Sequence, residues 1–170
     1  MKGFREIDPK EIENTIKLIG SDWMLITAAD KEKVNTMTAS WGCMGVLWNK
    51  PVCICYIRPQ RYTYEFVEQS DRLSLSFFTE EYRSALNICG TKSGRDCDKI
   101  ALAGLTVCTD ETGTPYFEEA KTVIRCKKIY ADDIKKENVL LPEIFNNYKN
   151  NDFHRFYICE IEHVSVREDI

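Results

Sequence analysis

The sequence predicts a mainly β protein, a closed barrel with a few peripheral helices. Three observations predict it. Short β-prone runs recur along most of the 170 residues, helical patterns come only as isolated excursions between them, and no repeat or low-complexity linker breaks the chain. Strands that do not alternate regularly with helices disfavour a doubly wound parallel sheet, and closing the sheet removes its exposed edges.

Asp8-Pro9-Lys10-Glu11 puts an N-cap Asp before a Pro at the first helical position and a Glu at the third, so a short helix is expected to run toward Gly20. Residues 23–29 and 34–41 are β-prone runs around the charged turn Asp30-Lys31-Glu32-Lys33, which reads as a hairpin. Residues 52–57 form a near-continuous apolar strand after Pro51, expected to be covered on both faces and ended by Pro59. Tyr62, Phe66 and Val67 fall at helical spacing over 61–69, and Leu73, Leu75 and Phe77 then alternate as a strand. Thr79 is expected to cap a helix carrying Tyr82, Leu86 and Ile88 that stops at Cys89-Gly90, and Asp96 a second one ending near Gly104. The last third offers a turn at Thr112-Gly113-Thr114-Pro115, a strand over 122–130, a looser helical stretch over 144–148 and a final strand over 153–166.

Composition narrows the function classes. With 44% hydrophobic and 29% charged residues, the chain is expected to form one domain over residues 1–170 with a substantial core. A formal net charge of −4 and a pI near 5.3 argue against a general nucleic-acid binder, whose phosphate affinity needs clustered Lys and Arg. No run is long and apolar enough to span a bilayer, and the start, Met1-Lys2-Gly3-Phe4-Arg5-Glu6, lacks the apolar stretch of a secretion signal, so a cytoplasmic location is expected. The eight cysteines lie in apolar runs such as Val52-Cys53-Ile54-Cys55-Tyr56 and read as reduced, buried thiols. Metal-ligand spacing is lacking: the close pair Cys53 and Cys55 is one residue apart with no His nearby, so no metal site is expected.

Three stretches carry chemistry. On a strand, Thr36, Thr38 and Ser40 share one face of Asn35-Thr36-Met37-Thr38-Ala39-Ser40-Trp41-Gly42, while Met37, Ala39 and Trp41 share the other. Such a hydroxyl ladder can bond a flat polar heterocycle, although composition alone favours a solvent-facing stripe, Thr being a good strand residue. Arg58-Pro59-Gln60-Arg61-Tyr62-Thr63 joins a strand to a helix start and brings two guanidinium groups and a hydroxyl together. A phosphate seat and an exposed turn with surface arginines stand even there. Cys89-Gly90-Thr91-Lys92-Ser93-Gly94-Arg95-Asp96 follows a helix and has Lys-Ser before its second Gly, so it is not a P-loop; it is a connector or a loop that touches an anionic ligand. No G-x-G-x-x-G follows a strand, so a resident Rossmann nicotinamide site is unsupported. His154 and His163 pair with no recognisable nucleophile, and a satisfied structural histidine is the safer reading of both.

Together, and in this order, these stretches resemble the flavin-reductase-like, flavoredoxin-type family of FMN-binding split barrels. Lys50-Pro51-Val52, Leu75-Ser76-Phe77-Phe78, Ala103-Gly104-Leu105 and Asp152-Phe153-His154-Arg155 extend the match over most of the chain, and Ser-Trp-Gly with Arg-Pro-x-Arg-Tyr-Thr is its most specific part. The resemblance implies a Greek-key split β-barrel, a homodimer with non-covalent FMN near the subunit interface, and hydride or electron transfer through that flavin, FAD being the lesser choice. It implies that Asn35, Thr38, Ala39, Ser40 and Trp41 line the ring and ribityl chain. Arg58, Arg61 and Thr63 are to face the phosphate, with Lys99, Lys92 and Ser93 closing that side and His154 near the ring. NAD(P)H is the implied transient donor of a flavin reductase; an electron carrier serving a redox protein, or a sensor module without nicotinamide turnover, is the alternative. Cations or donors aimed at N1 and C2=O of a reduced flavin raise its potential, and a donor at N5 helps hydride arrive.

Overall fold

The structure is a computed structural model that describes residues 1–31 and 33–168. Glu32, read as part of the first hairpin turn, lies outside the described residues.

Ten strands and four α-helical segments appear among the described residues. The strands are β1 Phe4–Ile7, β2 Met24–Ala29, β3 Val34–Ala39, β4 Gly42–Leu47, β5 Lys50–Ile57, β6 Arg72–Phe77, β7 Val107–Thr109, β8 Pro115–Phe117, β9 Thr122–Asp133 and β10 Arg155–Arg167. The helices are α1 Thr15–Lys17, α2 Tyr62–Gln69, α3 Arg83–Thr91 and α4 Lys99–Leu102. Eight strands form one antiparallel sheet in the order β3-β2-β6-β9-β10-β5-β4, with β1 added on β10, and β7 and β8 pair separately. No helix among the described residues is long and apolar enough to cross a membrane.

Connectivity forces this sheet to curl into a barrel. The edge strands β3 and β4 are joined by Ser40 and Trp41 alone, a link that spans at most about 11 Å, whereas seven flat strands would separate those edges by roughly 29 Å. Bending is absorbed in the long strands β9 and β10, whose pairing shifts register between Ile158 and Cys159 and again between Ile161 and His163. The barrel is split between β3 and β4, and Ser40 and Trp41 sit at the split.

Alternation along each strand divides two apolar layers. Met24, Ile26, Met37, Cys53, Cys55, Ile57, Leu73, Leu75, Ile124 and Tyr157 fill the interior, plugged by Phe66 and Val67 of α2. Leu25, Val123 and Phe117 face outward, where Ala85, Leu86 and Cys89 of α3 cover them. All eight cysteines are free thiols.

The structure corrects several local expectations. The helix expected from Asp8 toward Gly20 is broken into a 3-10 turn Pro9–Glu11, the short α1 and a π-helical turn Leu18–Asp22. Asn14, at φ 48°, breaks the run, although Asp8 and Glu11 do form the expected capping box. Asp98, not Asp96, caps α4 through the Ala101 N–H at 3.0 Å. Thr79 spends its hydroxyl on Glu81 and leaves α3 without a side-chain cap. Strand β5 alternates, with Ile54 and Tyr56 only half-buried, so its second face is not fully covered. β1, β4 and the β7–β8 pair were not expected; β4 turns into β5 through Trp48 and Asn49, both at positive φ, a turn without the glycine that marks such hairpins.

Candidate flavin site

Four segments converge on the split: the end of β3, the turn from β5 into α2, the loop from α3 to α4, and the start of β10. Their convergence rests on close backbone approaches. A Cβ at Gly90 would lie 3.2 Å from the Thr38 Cβ, so α3 can press its last turn onto β3 because that residue is glycine. A Cβ at Gly94 would collide with the Asn35 Oδ1, and the loop seals against β3 in the same way.

Two cavities share Arg61. One, of about 200 Å³, is walled by residues Thr38, Ala39, Ser40 and Trp41 at the end of β3, with Tyr56, Arg58 and His154 opposite. The other, of about 210 Å³, is walled by Gln60, Tyr62 and Thr63 on one side and by Lys92, Ser93 and Lys99 on the other. A third space of about 640 Å³ adjoins the first through Ser40, Trp41 and Tyr56.

The second cavity holds the decisive electrostatics. Arg61 donates to the Gly90 carbonyl at 3.0 Å, and Lys99, 3% exposed, donates to the carbonyls of Cys89 at 3.2 Å and Lys92 at 3.3 Å. Those carbonyls are neutral, and among the described residues no carboxylate faces either cation. Burial pulls the Lys99 pKa down to about 8, with the nearby Arg61 charge adding to the effect and Cys89 opposing it. Burial likewise pulls Arg61 below the ordinary guanidinium value, and Arg58 adds to it. Lys99 is buried and Arg61 half-buried; two partly desolvated cations crowded together without a counterion are costly, and an anion between them removes the cost. The first turn of α2, at Tyr62 and Thr63, adds N–H groups that have no partner within a helix.

Arg58 is different. It binds Asp152 at 2.5 Å and the Asn147 carbonyl at 2.8 Å, lies over the Tyr148 ring, and lines the first cavity rather than the second. Gln60 also donates to Asp152, at 2.8 Å. His154 is buried beside Trp41, ring centroids 5.1 Å apart, and its Nδ1 meets the Tyr148 hydroxyl at 2.9 Å. Burial pulls its pKa down to about 4, with Arg58 adding and Asp152 opposing, so the ring is neutral at pH 7.

The hydroxyl ladder is not a solvent-facing stripe: Thr36 and Thr38 bond within the protein, and Ser40 lines the first cavity. Thr36 bonds Thr27 at 2.9 Å and the Ile26 carbonyl at 3.0 Å, and Thr38 donates to the Leu86 carbonyl at 2.5 Å. Asn35 lines neither of the two linked cavities: its Nδ2 donates to Thr63 Oγ1 at 3.0 Å, fixing that hydroxyl from behind. Sequence reasoning missed Asp152, Asn147 and Tyr148 as the groups that hold Arg58 and His154. Asp152 lay in the late Asp-Phe-His-Arg motif, but nothing in the linear sequence tied it to Arg58.

A family model described as flavin reductase like domain matches residues 17–170. The chain belongs to the flavin reductase like domain family. Solved structures with the same fold include the FMN-binding domain of a flavin reductases-like enzyme from Shewanella baltica, with a TM-score of 0.72 and 17% identity, covering 96% of this chain and 77% of that one. Flavoredoxin of Desulfovibrio vulgaris matches with a TM-score of 0.67 and 24% identity, over 86% of this chain and 69% of that one. An FMN-binding protein from Thermus thermophilus matches with a TM-score of 0.70 and 20% identity, over 99% and 82%. A curated protein of Aeropyrum pernix described as uncharacterized is 26% identical over 132 residues, 76% of this chain; the flavin reductase like domain here spans about half, 50%, of that relative's length.

Proposed function

We propose that this chain is a flavoprotein oxidoreductase that holds FMN non-covalently as a single domain over residues 1–170. The observation that carries the reading is the pair of half-buried Arg61 and buried Lys99, both cationic and both lacking a carboxylate. A phosphate monoester supplies the missing charge, with Thr63, Ser93 and Lys92 around it. The cavity that shares Arg61 suits the ribityl chain and the ring edge, against Thr38, Ala39, Ser40, Trp41 and His154.

Bound FMN supplies hydride or electron transfer at its ring. The chain's residues do the rest. Arg58, its charge answered by Asp152, lines that cavity as a fixed hydrogen-bond donor toward the ring rather than as a free charge. His154 stays neutral, so it adds a hydrogen-bonding group without a second charge. We take the working form to be a cytoplasmic homodimer whose donor is NAD(P)H, with service to a redox protein as the second mode.

The visible spectrum tests this reading. Purified protein loaded with FMN should show a flavin band that NADH or NADPH bleaches under anaerobic conditions. Binding without bleaching leaves an electron carrier fed by a protein, and protein that stays colourless with FMN added overturns the proposal.

A further inference from the structure

One nitrogen of the His154 ring serves the fold and the other does not. The residue is 8% exposed and lines the first cavity between Trp41 and Tyr56. Its Nδ1 meets the Tyr148 hydroxyl at 2.9 Å, whereas its Nε2 has no partner among the described residues. Tyr148 is held in place from several sides. Its ring stacks on Phe153 with centroids 4.4 Å apart, the Arg58 guanidinium lies over it at 5.5 Å, and its backbone N–H bonds the Phe145 carbonyl at 2.9 Å. The Tyr148 and His154 rings stand at 77°, so the hydroxyl is the part of Tyr148 that addresses the imidazole.

A neutral imidazole carries one N–H, and the bond made at one nitrogen decides what the other offers. The buried Tyr148 hydroxyl has one hydrogen, and Nδ1 is where it goes. The neighbouring carboxylate does not take it: Arg58 and Gln60 both donate to Asp152 Oδ2, and Asp152 Oδ1 has no hydrogen-bond partner. An Nδ1–H donating to Tyr148 would instead leave the hydroxyl hydrogen unbonded, which burial penalises. We propose that Tyr148 is a positioning residue that fixes His154 in its Nε2–H form, so that the cavity wall presents a neutral donor and selects an acceptor edge of the ligand. For a flavin, those acceptors are the ring carbonyl oxygens and N1, where charge gathers on reduction, and a donor there raises the potential. The Nε2–H form rests on Tyr148 alone; the flavin opposite it rests on the function proposed above.

Nitrogen-15 NMR of the His154 ring in flavin-free protein at neutral pH tests the first part. Nε2 should read as the protonated nitrogen and Nδ1 as the bare one, and this wild-type spectrum decides the form by itself. Tyr148→Phe keeps the stack on Phe153 and should cut the preference by about fivefold, the worth of one hydrogen bond. The reverse assignment, or a ratio that Tyr148→Phe leaves unchanged, overturns the inference. The midpoint potential of FMN-loaded protein tests the second part. His154→Gln, whose amide nitrogen takes the place of Nε2, should hold the potential near the wild-type value; His154→Leu should lower it, and Tyr148→Phe should lower it part-way. A potential that none of the three moves, or one that Gln and Leu lower equally, overturns the inference. FMN that fails to bind ends the flavin reading and leaves the NMR result standing, whereas the wrong ring form with FMN bound ends this inference alone.

Discussion

Buried Arg125 and the pair of half-buried Arg61 and buried Lys99 are cationic centres of the same barrel, built in opposite ways. Arg125 on β9 meets Asp110 at 3.0 Å, Glu6 at 2.5 Å and Glu111 at 3.8 Å, so its charge is more than answered. Arg61 and Lys99 meet backbone carbonyls and each other's field. A buried cation ringed by carboxylates is finished structure. One without them is a site waiting for an anion, and the difference predicts opposite consequences for stability and binding.

Arg125→Ala strands the buried Asp110 carboxylate and should cost about 3–5 kcal/mol of unfolding free energy, read by urea denaturation, with FMN affinity of the folded fraction unchanged. Arg61→Ala should do the reverse, leaving the flavin-free protein as stable or more so. It should weaken FMN by about 1–3 kcal/mol, the worth of hydrogen bonds to a charged group, read by flavin fluorescence titration.

The pH dependence sharpens the contrast. The unfolded chain keeps the Lys99 proton up to about 10.5, whereas the folded chain releases it near 8. Between those values the unfolded state binds more protons, so flavin-free protein should gain stability as pH rises through that window. FMN affinity should fall over the same range as Lys99 loses its charge. Lys99→Met should flatten both profiles, and thermal melts and titrations from pH 7 to about 10 read them. The smallest effect belongs to the ladder. Thr36→Val should cost about 1 kcal/mol of stability without moving FMN affinity, because that hydroxyl faces Thr27 and not a ligand.

Much of the barrel was legible because alternation and turn chemistry are local. Leu73, Leu75 and Phe77 place their strand without help, and Arg58 to Thr63 mark the passage from β5 into α2. β1 escaped because four residues with two exposed side chains carry no pattern, and it exists by pairing with β10. β4 escaped because Gly42 and Gly45 dilute its strand propensity, and pairing with β5 supplies what the residues lack. The site was legible as residue types and illegible as geometry. Thr36 and Thr38 were seen to share a face, but α3 covering that face is a long-range fact. That Arg58 has a carboxylate and Arg61 does not depends on Asp152, which lies far along the chain. Whether a cation is paired cannot be read from its neighbours in sequence.

Comparative titration of FMN and riboflavin, which lacks the phosphate, bears most directly on the central claim. The wild-type chain should bind FMN at least about tenfold more tightly than riboflavin, and Arg61→Ala combined with Lys99→Met should abolish the difference. Equal affinity of the wild-type chain for the two flavins would contradict the account.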